Sequence, residues 1–246
     1  MTLKNEEWKT LIDAKVGEIQ SLPPFAPAAS PPSIAKDIIA LAIDHTLLKP
    51  DATPEQIDGL CDQALQYKFT SCCVNGAYIA QVSKRLDGSS SIPCCVVGET
   101  GQAIEDGAKE IDMVINIGAL KSGNYALVFD DIKAVVREAR GYPVKVILET
   151  VFLSEEEKIA ASFIAAEAGA SFVKTCTGFL GGGALAADVA VMKRTVEYKG
   201  NVQVKASAGI RSLKKCLEML EAGADRIGTS SGVTIMHDSA TDSDAY

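Results

Sequence analysis

Histidine is nearly missing from this chain: His45 and His237 are the only two in 246 residues. That argues against a His-rich metal site and against a Ser-His-Asp triad alike. None of the seven cysteines falls in a CxxC pair, so neither a zinc knuckle nor a thioredoxin-like motif is written here. Basic charge is short as well: 24 Lys and Arg stand against 32 Asp and Glu, a net charge of −8. Nucleic acid and anionic membranes need a basic surface, so neither is expected as a partner. No apolar run approaches the roughly 20 residues of a membrane span. The opening MTLKNEEWKT has neither a secretory apolar stretch nor an Arg-rich transit composition. The cysteines then read as buried reduced thiols, and the expected location is the cytoplasm.

What is present is a repeat of short apolar runs and helical stretches. The runs cover 40–48, 71–75, 92–98, 110–116, 144–150, 172–178, 202–209 and 226–232. Helices are predicted at 54–67, 77–86, 124–139, 154–168, 184–198 and 212–222, with a shorter one near 99–106. Their ends carry local signals. Thr53-Pro54 and Ser154 open helices as caps, and Gly169 and Gly223 close them. Eight strands apolar at nearly every position, alternating with helices, predict a parallel sheet covered by helices and closed as a (β/α)₈ barrel. No glycine-rich dinucleotide loop follows the first strand, which weighs against an open sheet. In front, 5–20 spaces Trp8, Leu11, Ile12, Val16 and Ile19 as one helical face, and the proline-rich 22–33 predicts an extended linker. The organisation expected is helix and linker over 1–33, barrel over 34–236 and a flexible acidic tail over 237–246.

In this fold the chemistry lies at the C-terminal ends of the strands. There the sixth and seventh runs, FVKTCTGF and VQVKASAGI, bring Lys174 and Lys205 to matching depth between apolar neighbours. One strand lysine alone usually reaches solvent or forms a structural ion pair. Two lysines with Asp112 at equivalent barrel positions point to function. Burial and mutual repulsion favour loss of one proton, which makes an amine nucleophilic toward a carbonyl. Asp112 would offset the remaining charge and pass protons through a water. Lys145, near the start of its strand, reads as structural, Asp44 and Thr46 as scaffold, and Cys72, Cys73, Cys94 and Cys95 as small core residues. The last two strand ends suggest a phosphate site of backbone N–H groups and hydroxyls. Thr175, Gly178, Gly209, Ser230 and Ser231 are the candidate contacts.

AIDHTLLKPDAT, EIDMVINIGALKSG, FVKTCTGF, VKASAGIR and RIGTSSGV, in order from about Ile38 to Met236, together resemble the deoxyribose-phosphate aldolase family. The resemblance implies a metal-free and cofactor-free class I aldolase that reversibly cleaves 2-deoxy-D-ribose 5-phosphate to acetaldehyde and D-glyceraldehyde 3-phosphate, in deoxynucleoside breakdown. It makes Lys174 the Schiff-base lysine, Lys205 the second lysine that depresses its pKa and moves protons, and Asp112 the proton donor and acceptor. The sequence departs from the family at three places. Cys176 stands where serine is usual, and Ala208-Gly209 where two glycines are usual. Residues 99–109 alone join the third and fourth strands, about a dozen or more fewer than the family carries and the lower limit for such a crossover. That shortening predicts an open barrel mouth there and less cover on the apolar sides of the third and fourth strands. It also keeps a second reading open, an impaired homologue retaining phosphate binding or an assembly role. A third, a transaldolase-like enzyme, fits the paired lysine motifs poorly. A homo-oligomer is compatible with the helical faces, and Tyr246 is a candidate to swing toward the site from the tail.

Overall fold

The computed structural model describes the chain except residues 1, 2, 29–31, 33, 97, 98, 180 and 239–246. Tyr246 and most of the predicted tail therefore lie outside the described residues. Eight parallel strands close on themselves in chain order. They are β1 (Ile43–Leu47), β2 (Ser71–Asn75), β3 (Ile92–Val96), β4 (Glu110–Val114), β5 (Val144–Ile147), β6 (Phe172–Lys174), β7 (Gln203–Ser207) and β8 (Arg226–Thr229), and β8 returns to β1 through Ile43 opposite Ile227. Parallel neighbours cannot be joined by tight turns, so helices carry each crossover. The helices are α1 (Asn5–Gln20), α2 (Lys36–Ala40), α3 (Pro54–Tyr67), α4 (Ile79–Arg85), α5 (Thr100–Glu105), α6 (Ile117–Lys121), α7 (Tyr125–Glu138), α8 (Glu155–Ala168), α9 (Ala186–Val196), α10 (Leu213–Glu221) and α11 (Gly232–His237).

The expected caps form. Thr53 Oγ1 accepts from the Gln56 N–H while the Gln56 side chain accepts from the Thr53 N–H. Ser154 and Glu157 make the same exchange at α8, and Gly169 closes that helix at φ +94°. The amphipathic α1 lies across α7 and α8. Its Trp8 is buried with its ring 5.0 Å from Phe129 and 6.2 Å from Phe163. The described part of the proline-rich segment runs on from α1 without helix or strand, and the Pro23 carbonyl accepts from Arg194 of α9 at 2.6 Å.

The third crossover is as short as the sequence implies, six helical residues in α5, yet β3 and β4 remain paired through Cys94–Glu110, Cys95–Ile111 and Val96–Asp112. The expectation that both strands would lose cover on their apolar flanks needs correction. Cys95, Ile111 and Met113 on the outward face are buried, with the small Ala103 and Ala108 letting a single short helix approach closely. The opening lies at the mouth alone: Val114, which shares the inward face with Asp112 by strand alternation, is 41% exposed.

Candidate active site

The site grows from strand register. Asp112 on β4 sits opposite Lys145 on β5, Lys174 on β6 opposite Lys205 on β7, and Lys205 opposite Arg226 on β8. The three lysines point inward from successive strands and converge on the Asp112 carboxylate. Its Oδ2 accepts from Lys174 Nζ at 2.7 Å and from Lys205 Nζ at 3.0 Å, while Oδ1 accepts from Lys145 Nζ at 2.8 Å. The two nitrogens expected to crowd one another thus share a single oxygen, which limits their separation to the sum of 2.7 and 3.0 Å, or 5.7 Å.

Deeper in the barrel the charges pair off. Lys145 lies 2.6 Å from Glu110, and Lys205 Nζ lies 2.7 Å from Asp44 Oδ2, a charge contact outside hydrogen-bond angles. Arg226 donates to Asp44 at 2.5 Å and lies 3.3 Å from Glu110, and Ser71 donates to Asp44 at 2.7 Å. Lys145 is therefore not at the margin of the site, as its place near the start of β5 suggested, but a full member of the cluster. Asp44 is the second anion of Lys205.

The electrostatics also revise the expectation of a simple lysine pair. Burial acts to lower Lys205, but Asp112 and Asp44 outweigh it, and the group is raised above the usual lysine value. Lys145 is raised in the same way, chiefly by Asp112 against burial. Burial acts to raise the Asp112 carboxyl, but three lysines hold it well below the usual carboxylate range. Both carboxylates in contact with Lys205 keep it an ammonium. Four cations (Lys145, Lys174, Lys205, Arg226) meet three anions (Asp44, Glu110, Asp112), which leaves one positive charge in excess.

Lys174 differs from the other two lysines by its outlook. Its side chain keeps 3% exposure where theirs have none, and it forms part of the floor of a cavity of about 270 Å³ at the C-terminal ends of β6, β7, β8 and β1. Gly178, Gly209 and Ser230 line this cavity with it; Thr175 and Ser231 do not. Thr175 is buried and clips β6 to β7, donating to the Ser207 carbonyl and accepting from its N–H, each at 2.9 Å. Ser231 caps the approach to α11, its N–H donating to Thr229 Oγ1 at 2.9 Å.

Three residues that sequence reasoning passed over belong here. Lys49 and Arg211 line the same cavity from the loops after β1 and β7, and no Asp or Glu lines it among the described residues. The signal was in reach: both cations lie within motifs already singled out, Lys49 in AIDHTLLKPDAT and Arg211 at the end of VKASAGIR. Glu149, after β5, is buried in the left-handed region at φ 56° and its Oε1 accepts the Thr177 N–H at 2.5 Å. It anchors the turn after Lys174, and only coordinates reveal that strained backbone.

Fold and site define the class, a closed (β/α)₈ barrel with a lysine amine at the base of a cavity in its mouth. The family model for DeoC/LacD family aldolases matches residues 38–238, and the chain belongs to that family. It is 54% identical to the deoxyribose-phosphate aldolase of Clostridium tetani over 211 residues, 80% of this chain and 97% of that relative. Among solved structures, a Coccidioides immitis protein provisionally described as a deoxyribose-phosphate aldolase is 38% identical. It covers 96% of this chain and 97% of its own, with a TM-score of 0.89. A tetrameric deoxyribose phosphate aldolase from Aeropyrum pernix is 30% identical, covering 82% and 91%, with a TM-score of 0.75.

Proposed function

We propose that this aldolase reversibly cleaves 2-deoxy-D-ribose 5-phosphate to acetaldehyde and D-glyceraldehyde 3-phosphate through a Schiff base on Lys174, in deoxyribonucleotide breakdown. The observation that carries the proposal is the position of Lys174, the one amine of the cluster that both touches Asp112 and faces the cavity. Addition to the sugar's open-chain aldehyde needs a nitrogen lone pair. Of the cluster's three lysines, Lys174 alone lines the cavity where that aldehyde would arrive. The carbinolamine then loses water to give an iminium, an electron sink two bonds from the hydroxyl-bearing carbon. Loss of the proton from that hydroxyl breaks the bond between the second and third carbons, leaves an enamine on Lys174 and releases the three-carbon aldehyde phosphate. Asp112 and the ammonium of Lys205 are placed to relay the protons of these steps, 2.7 Å and at most 5.7 Å from the reacting nitrogen. Protonation of the enamine and hydrolysis free acetaldehyde and Lys174.

The phosphate end would rest in the cavity among Lys49, Arg211, Ser230 and the backbone of Gly209. A pocket with no acid among its described lining residues, in a chain of net charge −8, favours a dianion there. Gly209, at φ +74°, presents bare backbone to the pocket. Thr175 supports the site from below.

Trapping tests the reading. Acetaldehyde with borohydride should leave a reduced two-carbon adduct on Lys174, greatly slowed in Lys205→Leu, as mapped by mass spectrometry. Folded protein without an adduct on any lysine would remove the aldolase mechanism.

A further inference from the structure

Two thiols sit behind the Asp112 carboxylate with no part in this chemistry. Cys73 on β2 and Cys94 on β3 are direct register partners, both point into the barrel and both are fully buried. Their sulfurs are 3.6 Å apart. Cys94 is also in touch with the charge cluster, its Sγ 3.3 Å from Asp112 Oδ1 and 3.2 Å from Lys145 Nζ. We propose that Cys73 and Cys94 form an oxidisable dithiol site, which a hydroperoxide converts to a disulfide and thereby slows turnover.

The geometry suits the bond. Adjacent parallel strands run roughly 4.8 Å apart, inside the Cα separation of about 4.4–6.8 Å that disulfides span. The sulfurs need to close by about 1.5 Å to reach a bond of about 2.05 Å. The surroundings suit the chemistry. Thiolate rather than thiol is the nucleophile, and Cys73 is the sulfur placed for that role. The Cys94 thiol 3.6 Å away, then Lys205 and Lys174, lower it against burial and Asp112, while Cys94 is itself raised by Cys73, burial and Asp112. One thiolate attacks a peroxide oxygen: the S–O bond forms, the O–O bond breaks, and the departing hydroxide takes a proton to become water. The second sulfur then attacks the sulfenic sulfur, the S–S bond forms, and the remaining oxygen leaves as water with the second thiol's proton. Two electrons pass from the sulfur pair to the peroxide. A peroxide is uncharged and close to water in size, so the cationic barrel mouth offers it no electrostatic barrier.

The consequence follows from what Cys94 touches. In the disulfide it no longer donates to Asp112 Oδ1, and its sulfur is drawn toward Cys73 and away from Lys145. Asp112 is the anion shared by Lys174 and Lys205, so its shift disturbs both amines. A second thiol contact, Cys61 with Cys72, lies between α3 and β2, and Cys72 on β2 faces away from Asp112. It serves as the internal control.

Hydrogen peroxide applied to the folded full chain tests the proposal. The expected result is a protein lighter by two hydrogens and, after digestion without reductant, one cross-linked peptide joining Cys73 to Cys94. Turnover should fall about tenfold as the cross-link accumulates and return with dithiothreitol, the loss of a hydrogen bond to a charged group being of that size. Cys73→Ser should keep its own untreated rate under the same peroxide. A cross-link at Cys61–Cys72 alone, oxidation of Cys176 alone, no disulfide, or a Cys73–Cys94 bond with unchanged turnover would each overturn it. Should Cys73→Ser not fold, the wild type decides, because cross-linked fraction and lost activity must rise together. The bond is read by mass, so its failure leaves the sugar-phosphate reading standing, and a missing borohydride adduct leaves the dithiol standing.

Discussion

The floor and the mouth of the barrel use the same side chain to opposite ends. At the floor, Lys145 is fully buried and touches Glu110, Asp112 and Cys94, so its charge is matched from several sides. At the mouth, Lys174 has Asp112 alone on one side and a cavity rimmed by Lys49 and Arg211 on the other. In register, Lys145 lies opposite Phe172 and Lys174 opposite Ile147, so a single pleat of depth separates them. That step decides whether a lysine completes a salt network or opens onto the cavity. Buried ion clusters are a costly way to fill a core, and this floor is better understood as fixing the position of Asp112 than as a source of net stability.

Substitution of the two lysines by methionine should pull this comparison apart. Lys174→Met is expected to cut turnover on the order of 10⁴-fold, because no other amine of the cluster reaches the cavity, while urea unfolding stays near that of the wild type. Lys145→Met removes the partner of two buried carboxylates and should cost about 3–5 kcal/mol of unfolding free energy. If Lys174→Met unfolds easily and Lys145→Met is stable but dead, the assignment of floor and mouth is reversed.

The mouth can be examined without touching Lys174, the amine proposed to react. Lys49→Ala and Arg211→Ala each remove a cation that faces the cavity. A charge-assisted hydrogen bond of about 1.5–3 kcal/mol predicts a rise in KM of roughly 10- to 100-fold for the phosphorylated sugar. The unphosphorylated sugar should respond little to either change. An equal loss with both sugars would mean that these residues shape the barrel mouth and do not hold phosphate.

How far the sequence alone could reach divides along the same line. β2, α1 and α3 fall where apolar periodicity and Thr53-Pro54 place them, because local signals set them. Most strands end two to four residues earlier than the apolar runs suggest. β6 stops at Lys174, and 175–178 already belong to the loop that carries Thr177 and Gly178 into or beside the cavity. Polar residues at a barrel's rim follow the strand direction without pairing, and composition alone does not separate the two. Short helices such as α2, α6 and α11 were missed because five or six residues hold too little periodicity to register. Lys174, Lys205 and Asp112 were legible as charges inside apolar strands. That Lys145 joins them was not, since its membership depends on how β4 and β5 are staggered, a property of the closed sheet.

Ala208 sharpens the comparison from the mouth side, where backbone shape rather than charge is at issue. It takes φ +79°, a region costing an L-residue with a Cβ roughly 1–2 kcal/mol, where the resemblance leads one to expect glycine. Neighbours keep it there. Its carbonyl accepts the Ala184 N–H at 2.9 Å, and a Cβ added to Gly183 would come within 3.0 Å of that same oxygen, so the two loops are in close contact. Ala208→Gly relieves the strain and returns about 0.4–1 kcal/mol of chain entropy to the unfolded state. The net expectation is a gain of about 0.5–1 kcal/mol, or a Tm higher by roughly 1–4 °C for a chain of this length. The floor, untouched, should keep the trapping rate of Lys174 unchanged. A lower Tm would show instead that the methyl group packs usefully against the Gly178 turn, where a Cβ on that glycine would sit 3.4 Å away, and that this rim is held by contact more than it is strained by conformation.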